Sequence, residues 1–170
     1  IASSLILAGF RGMLRIELQN DCLYLERIAG KINTMVYDDF YDSGLFITGV
    51  FLRYQPEDHS ISFVNAGHPR PLSSLPWKSD ILSHAQLPLG ILDSTEYTLY
   101  QTNLEYDERI LIFSDGLMEA MTLDGSFYGT ERMQHILDSS QARSADDLVD
   151  AILYDFQSNV PRQEDDVTVL

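Results

Sequence analysis

The chain has 170 residues, 45% of them apolar, so it can form one domain with a hydrophobic core and is too short to predict two. Its 26 acidic residues outnumber 11 basic ones, and the formal net charge is −15. Because binding to nucleic acid requires a basic surface, we expect no nucleic-acid partner and no attachment to an anionic membrane. No apolar run reaches the length of a membrane-spanning helix.

The only cysteine, Cys22, cannot form a disulfide within the chain, which is typical of a reducing compartment and predicts a cytoplasmic protein. A packing role is favoured for Cys22 over a nucleophilic one. The apolar segment 1–10 follows no basic region and has no cleavage site, so it is not interpreted as a signal peptide. Since the chain begins with Ile1, we expect a fragment, a processed product or a chain with further residues before it.

Two helices are predicted first. Residues 1–18 form an apolar helix pattern in which Gly9 and Gly12 permit close packing. The second helix should begin after an N-cap at Asn20 or Asp21 and end near Asp38. Its apolar positions recur every three or four residues, and its opposite face is polar. The apolar positions are Leu25, Ile28, Ala29, Ile32 and Val36, and the polar ones are Glu26, Lys31 and Asn33.

Strand patterns follow the helices. Residues 45–54 and 61–65 are predicted as the two strands of a hairpin, and residues 72–90 as irregular structure. The remaining predicted elements are strands at 97–103, 109–113 and 167–170 and helices at 130–138 and 144–159, the last with Ser144 as its N-cap. Without a repeat or linker, residues 1–170 are predicted as a single domain. The order indicates an α+β fold, a layered arrangement of antiparallel sheets flanked by helices.

Asp115 is the first candidate for chemistry, because it directly follows the apolar strand 109–113. A carboxylate at the end of a buried strand is held in place, and Gly116 allows the backbone to turn sharply after it. This is where a metal ligand would be placed. A turn in which Asp115 accepts backbone hydrogen bonds explains the same residues, and the sequence by itself favours this simpler interpretation.

The acidic triplet Glu164, Asp165 and Asp166 precedes the predicted strand 167–170. Adjacent carboxylates repel one another, and a divalent cation would relieve the repulsion. Mg²⁺ and Mn²⁺ prefer such oxygen ligands. A solvated acidic loop is the alternative, and it is the better interpretation of an isolated triplet.

Residues 65–69, with the sequence Asn-Ala-Gly-His-Pro, form the third feature. His68 could act as a base, a metal ligand or a hydrogen-bonding strut, and the strut is favoured for a lone turn histidine. Asn65 lies in the same turn. Thr48, inside the predicted strand 45–54, is expected to hydrogen-bond across the sheet.

Taken together, these segments resemble the SpoIIE/RsbU branch of the bacterial PPM-type phosphatases. Each short motif is weak alone, but their order and spacing extend along nearly the whole chain. The matching segments are 46–48, 65–69, 88–91, 114–120, 128–129 and 165–170.

The resemblance implies two stacked antiparallel sheets flanked by helices and a centre of two Mn²⁺ or Mg²⁺ ions. The family's DG aspartate falls on Asp115 and its DD aspartate on Asp165, with Asp166 as a neighbour. Supporting positions would be Gly116, His68, Asn65 and Thr48. The implied reaction is metal-assisted hydrolysis of phosphoserine or phosphothreonine.

The chain departs from the family pattern at its front. The family has a DxxGHG-like segment that supplies a bridging aspartate, and residues 1–5 resemble the residues just after that segment. The early strands of the sandwich would then also be missing. We therefore expect the 170 residues alone to bind metal weakly and to turn over poorly.

Partners are implied by the resemblance alone. The substrate would be a phosphorylated regulatory protein such as an anti-sigma-factor antagonist, and a sensor or receiver domain would lie upstream. The helices predicted at 1–18 and 21–38 would link that domain to the site, and their apolar surface permits a homodimer contact. The alternative is a non-catalytic, phosphatase-like module that binds a partner through its helical face. A two-metal nuclease is disfavoured by the charge and by the motif order.

Overall fold

The computed structural model describes residues 2–20, 24–78, 82–140, 142 and 144–170. They divide into two compact units. One unit contains Ile1–His68 and His84–Leu104, and the other contains Pro69–Ser83 and Glu105–Leu170. Each unit combines helices with strands, which confirms the predicted α+β class. None of the helices in the described ranges combines the length and the apolar character that crossing a membrane requires.

The regular elements are numbered here in chain order. The helices are α1 (Ala2–Asn20), α2 (Leu25–Phe40), α3 (Asp115–Met118), α4 (Gly129–Ser139) and α5 (Ala145–Asn159). The strands are β1 (Gly49–Gln55), β2 (Ser60–Ala66), β3 (Leu72–Ser73), β4 (Ala85–Gln86), β5 (Tyr100–Asn103) and β6 (Ile110–Leu111). Short 3₁₀ turns lie at Tyr41–Ser43 and Pro76–Lys78.

Helix α2 packs its predicted apolar face into the core of the first unit. All five apolar positions are buried, alongside β2 residues such as Val64 and Ala66. The predicted N-cap was wrong: Asn20 ends α1, and α2 instead follows Tyr24, which makes no side-chain cap hydrogen bond. The carbonyl of Tyr24 accepts the first helical N–H groups at 3.1 Å. Asp21 and Cys22 lie outside the described residues.

Asn33 was predicted on the polar face of α2, and this was wrong because its side chain is completely buried. Its Nδ2 donates to the carbonyl oxygens of Leu92 and Asp93, both at 2.8 Å. Its Oδ1 accepts the backbone N–H of Gly90 at 2.9 Å. Spacing alone places Asn33 four residues after buried Ala29, on the same side of the helix. This amide therefore supplies hydrogen-bond partners to three residues of the segment 90–93.

The main sheet of the first unit is centred on β2. The predicted hairpin is confirmed, with β1 and β2 antiparallel and Gln55 opposite Ser60. Strand β5 pairs antiparallel with β2, and β4 pairs parallel with the end of β2. The prediction was a purely antiparallel sheet, and the short parallel pairing of β4 departs from it. Every residue of β2 is buried, as expected for a strand that is paired on both sides. The strand predicted from residue 45 begins only at Gly49.

The second unit pairs β3 with β6, placing Leu72 opposite Leu111. Helices α4 and α5 contribute to its core, which consists of Leu72, Leu111, Phe113, Leu117, Tyr128, Met133, Leu137, Leu148, Ile152, Phe156 and Val160. The predicted cap is confirmed, since Ser144 Oγ accepts the N–H of Asp147 at 3.1 Å. The loop after β3 is held by a fully buried ion pair between Lys78 and Glu108, and Glu108 also accepts from Ser73 Oγ at 3.0 Å.

Candidate metal centre

The chain end lies along the strand that leads to Asp115. Ile112 and Leu170 exchange backbone hydrogen bonds of 3.0 and 2.9 Å, and Phe113 forms an antiparallel bridge with Val169. The strand predicted at 167–170 is thus present as this short pairing. Because antiparallel pairing runs the two segments in opposite directions, the residues after Phe113 come beside those before Val169.

Ser114 continues this pairing with both its backbone and its side chain. Its N–H donates to the carbonyl of Thr168 at 3.0 Å, and its hydroxyl accepts the N–H of Thr168 at 2.9 Å. The same hydroxyl donates to the carbonyl of Asp166 at 3.1 Å. Ser114 therefore fixes the acidic segment 164–166 against the start of α3.

Gly116 brings the two acidic segments into direct contact. A Cβ at this position would lie 2.4 Å from the carbonyl oxygen of Asp166 and 3.3 Å from Cβ of Asp165. Side chains do not approach backbone oxygens that closely, so only glycine fits. The predicted turn is present, because the chain passes from extended Ser114 directly into helix α3, but Gly116 is not among the glycines with positive φ, so the turn does not require a glycine conformation. Because Gly116 has no side chain, the backbone of Asp166 can lie directly against it.

The carboxylates at this contact are exposed and oriented by their own backbone. Asp115 Oδ1 accepts the N–H of Gly116 at 3.0 Å, and Asp165 Oδ1 accepts the N–H of Asp166 at 2.8 Å. A carboxylate has about four lone-pair positions, so one such bond leaves capacity for a cation. None of the ion pairs found among the described residues involves Asp115, Asp165 or Asp166. Within the described part of the chain, these like charges are therefore gathered without an ion pair to a protein cation.

Carboxylate oxygens are ligands that Mg²⁺ and Mn²⁺ prefer. The absence of a side chain at Gly116 allows the two acidic segments to lie against each other. Within the described ranges, no group of three or more His, Cys, Asp or Glu side chains is arranged to hold a metal ion. The carboxylates at Gly116 are fewer than the roughly six ligands that Mg²⁺ takes, several of which are usually waters. The chemistry of these residues is therefore compatible with supplying some, but not all, of the ligands of a divalent cation.

The turn 65–68 lies in the first unit and is closed by Asn65. Its Oδ1 accepts the N–H of His68 at 2.8 Å, and its Nδ2 donates to the carbonyl of His68 at 3.1 Å. Gly67 has φ 71°, and a Cβ there would stand 2.5 Å from Cγ of Pro88. Asn65 is completely buried, and both polar atoms of its amide form hydrogen bonds within the turn.

Thr48 was predicted inside a strand, but it is exposed and precedes β1. Its neighbour Ile47 forms an antiparallel bridge with Leu89, with backbone hydrogen bonds of 3.0 and 2.8 Å. Residues 46–48 and 88–91, two of the matching motifs, are therefore neighbours in space. Of the predicted site residues, the structure brings together Asp115, Gly116, Asp165 and Asp166.

Sequence reasoning assigned no role to Ser114 or Tyr128. The signal for Ser114 was its place between a buried strand and a candidate ligand. Tyr128 is buried, and its hydroxyl donates to Asp155 at 2.9 Å. Burial has the largest effect on the pKa of Tyr128 and the hydrogen bond to Asp155 the next largest, and both raise this pKa far above its usual value.

Known proteins share this arrangement of motifs. The family described as Stage II sporulation protein E (SpoIIE) matches residues 1–170, the whole chain. The chain belongs to the SpoIIE family. Among curated relatives, this SpoIIE-family chain is 28% identical over 144 residues to the phosphoserine phosphatase RsbU of Bacillus subtilis (strain 168). That match covers 79% of the chain and 42% of RsbU, so the chain spans about two fifths of this relative.

Solved structures show the same fold. The SiaA-PP2C domain of Pseudomonas aeruginosa superimposes with a TM-score of 0.81 at 14% identity, covering 99% of the SpoIIE-family chain and 69% of that domain. The Mn-presoaked phosphatase domain of SpoIIE from Bacillus subtilis gives a TM-score of 0.58 at 14% identity, with 97% and 70% covered. At such identities the likeness establishes the fold alone.

Proposed function

We propose that this chain is the catalytic part of a metal-dependent phosphatase that hydrolyses phosphoserine or phosphothreonine on a regulatory protein. The observation that carries the proposal is the approach of Gly116 to Asp166, because it joins the candidate ligands Asp115 and Asp165 from segments about 50 residues apart. The name of RsbU, a phosphoserine phosphatase, supports the same reaction.

Asp115 and Asp165 would hold Mn²⁺ or Mg²⁺, with Asp166 as a neighbouring donor. When bound, two such ions supply an activated water and neutralise the phosphoryl oxygens. The protein's own part is to hold the carboxylates in place. Ser114 and Gly116 do so by fixing the acidic segment against α3. Without a cation, these carboxylates would repel a phosphate group, and a bound cation would reverse that local field.

The remaining site residues are proposed as supports. Asn65 and His68 would stabilise the turn after β2, and Thr48 would flank the pairing of Ile47 with Leu89. The further ligands of a two-metal centre would come from a segment of the DxxGHG type ahead of residue 1. Family resemblance supports this assignment.

The substrate that the family resemblance supports is a phosphorylated anti-sigma-factor antagonist or a similar small regulator in the cytoplasm. Upstream control would reach the site through α1 and α2, and Lys31 of α2 is already paired with Glu17 of α1 at 2.8 Å. That ion pair links the two helices to each other. A homodimer contact through the same helices belongs to this proposal.

The experiment is a Mn²⁺ titration by calorimetry on the full-length protein that carries this chain, together with hydrolysis of para-nitrophenyl phosphate. Asp115→Asn should abolish both binding and turnover, because a neutral amide replaces a ligand charge. Asp150→Asn, an exposed position on α5, is the matched control and should leave both unchanged. If the folded wild-type protein neither binds Mn²⁺ nor turns over, the proposal is wrong and a partner-binding role takes its place.

A further inference from the structure

The segment that follows the candidate metal centre is a short hairpin, residues 121–127, with an apolar outer surface. Met121 and Phe127 form an antiparallel bridge, and Leu123 lies at the turn between them. These side chains are 45%, 65% and 74% exposed, respectively. They are three of the seven large apolar side chains found exposed in the described part of this unit, so exposed apolar surface is concentrated here.

Hydrogen bonds on the inward side of the hairpin hold its backbone in place. Thr122 is buried, and its hydroxyl bonds Asp124 and the carbonyl of Ser126. Ser126 also donates twice to the carboxylate of Asp124, at 2.7 and 3.0 Å. The N–H of Leu123 donates to the carbonyl of Asn159 at 3.0 Å. The exposed side chains are therefore displayed on a fixed support, which lowers the entropy cost of binding.

The hairpin also lies within reach of the candidate metal centre. From Asp115 the chain runs through a helical stretch to Glu119 and then two residues to Met121. With about 1.5 Å per helical residue and about 3.5 Å per extended residue, Met121 lies at most about 13 Å from Asp115. A protein partner covers about 800 Å² of this surface, a disc of about 16 Å radius. A substrate protein whose phosphate reaches Asp115 is therefore wide enough to contact the hairpin.

We propose that the 121–127 hairpin is the docking surface for the folded phosphoprotein substrate. This inference rests on the proposed phosphatase function and adds a recognition element to it. The partner that fits has an apolar depression beside its phosphorylated residue, with basic groups at the rim. The basic rim follows from the flanking carboxylates of Glu119 and Asp124, both exposed. Hydrogen bonds from Thr122 and then Ser126 lower the pKa of Asp124 to about 2, so its charge persists at neutral pH.

Leu123→Ser and Phe127→Ser, singly and together, test this surface in the full-length protein. Each assay uses three probes: para-nitrophenyl phosphate, the native phosphoproteins of the host cell, and the same phosphoproteins after trypsin digestion. Mass spectrometry follows each phosphosite. The control is Tyr106→Ser, a 95% exposed residue at the opposite end of β6 from Asp115. Thermal melting confirms that each variant is folded, and the single variants serve if the double variant does not fold.

The expected result is that the wild-type protein dephosphorylates at least one intact phosphoprotein about tenfold or more faster than the matching peptide, and that the double variant removes this difference. Rates on peptides and on para-nitrophenyl phosphate should stay unchanged in every variant, and Tyr106→Ser should behave as wild type. A docking surface of this kind accelerates only the intact substrate.

Several results would overturn the inference. Equal wild-type rates on intact proteins and peptides would exclude docking, and so would equal rates of wild type and double variant on intact proteins. A dimer that becomes a monomer in the double variant, with unchanged rates on intact proteins, would assign the hairpin to contact with a second copy. Absence of wild-type turnover on para-nitrophenyl phosphate would instead remove the phosphatase function itself, and the docking surface with it.

Discussion

The backbone of Gly116 lies against that of Asp166, so closely that a Cβ at Gly116 would stand 2.4 Å from the carbonyl oxygen of Asp166. The contact joins residues 50 positions apart in the sequence. It places the two acidic segments of the SpoIIE-family chain side by side, and it can be tested separately from the carboxylates themselves.

Gly116→Ala should weaken Mn²⁺ binding by about tenfold or more, because the new methyl group pushes the acidic segment 164–166 away while every carboxylate is retained. Calorimetry on the full-length protein measures this directly. Gly49→Ala at the start of β1 is the matched control, since a Cβ there meets nothing within 4 Å. Unchanged affinity in folded Gly116→Ala would show that the approach of Gly116 to Asp166 is not needed for the metal centre.

Asn33→Ala should lower the free energy of unfolding by about 2–4 kcal/mol. The change removes a buried amide that accepts the N–H of Gly90 and donates one hydrogen bond each to the carbonyls of Leu92 and Asp93. Urea denaturation measures the loss. Thr34→Ala on the same helix removes only exposed hydrogen bonds of 3.3 and 3.4 Å and should cost below about 1 kcal/mol. Equal losses in the two variants would contradict the assigned role of Asn33.

Ser144→Ala should destabilise the protein by about 1 kcal/mol, because the N–H of Asp147 loses its capping acceptor at the start of α5. Ser144→Asp should restore the stability, since an aspartate oxygen caps equally well and its charge suits a helix N-terminus. Thermal unfolding of both variants is the measurement. If Ser144→Asp is as unstable as Ser144→Ala, the cap does not account for the loss.

Asp124 should make the stability depend on pH in the acid range. Hydrogen bonds from Thr122, and to a smaller extent from Ser126, lower the pKa of Asp124 to about 2 in the folded chain. An aspartate in the unfolded chain titrates near about 4. A lowered folded-state pKa stabilises the protein above about pH 4, and this contribution is lost as pH falls from about 4 to about 2. Asp124→Asn should therefore be less stable than wild type at pH 6, and the difference should shrink below pH 4.

Urea denaturation at several pH values between 3 and 7 provides the comparison. Thr122→Val removes the first of the donors to Asp124 and should reduce the acid dependence without changing the charge. A stability difference between wild type and Asp124→Asn that stays constant across this range would show that the hydrogen bonds to Asp124 do not favour its ionised form.

Several elements could be predicted from sequence because their causes are local. The spacing of Ile28, Ile32 and Val36 along α2 places them on one face of a helix. Two stretches rich in β-branched and aromatic residues, separated by the polar turn 55–60, indicate the hairpin of β1 and β2. Ser144 is a local cap and was found where expected. The order of short motifs along the chain was enough to indicate the family, which the match over residues 1–170 confirms.

The candidate site shows the limit of such prediction. The sequence singled out Asp115 and Asp165, but a turn and a solvated loop were the favoured explanations of the two residues taken singly. Their proximity depends on the pairing of Ile112 with Leu170 and on the space at Gly116. Both are contacts between segments more than 40 residues apart, and no pattern of neighbouring residues specifies them.

By itself, then, the sequence determined the helical faces, the central hairpin, the order of the motifs and the family, since these depend on the chemistry of nearby residues. The tertiary structure alone decided the burial of Asn33, the start of α2 after Tyr24 and the space-keeping role of Gly116. A buried amide is stable only where distant carbonyls and N–H groups meet it, and a glycine is required for space only where another backbone approaches it.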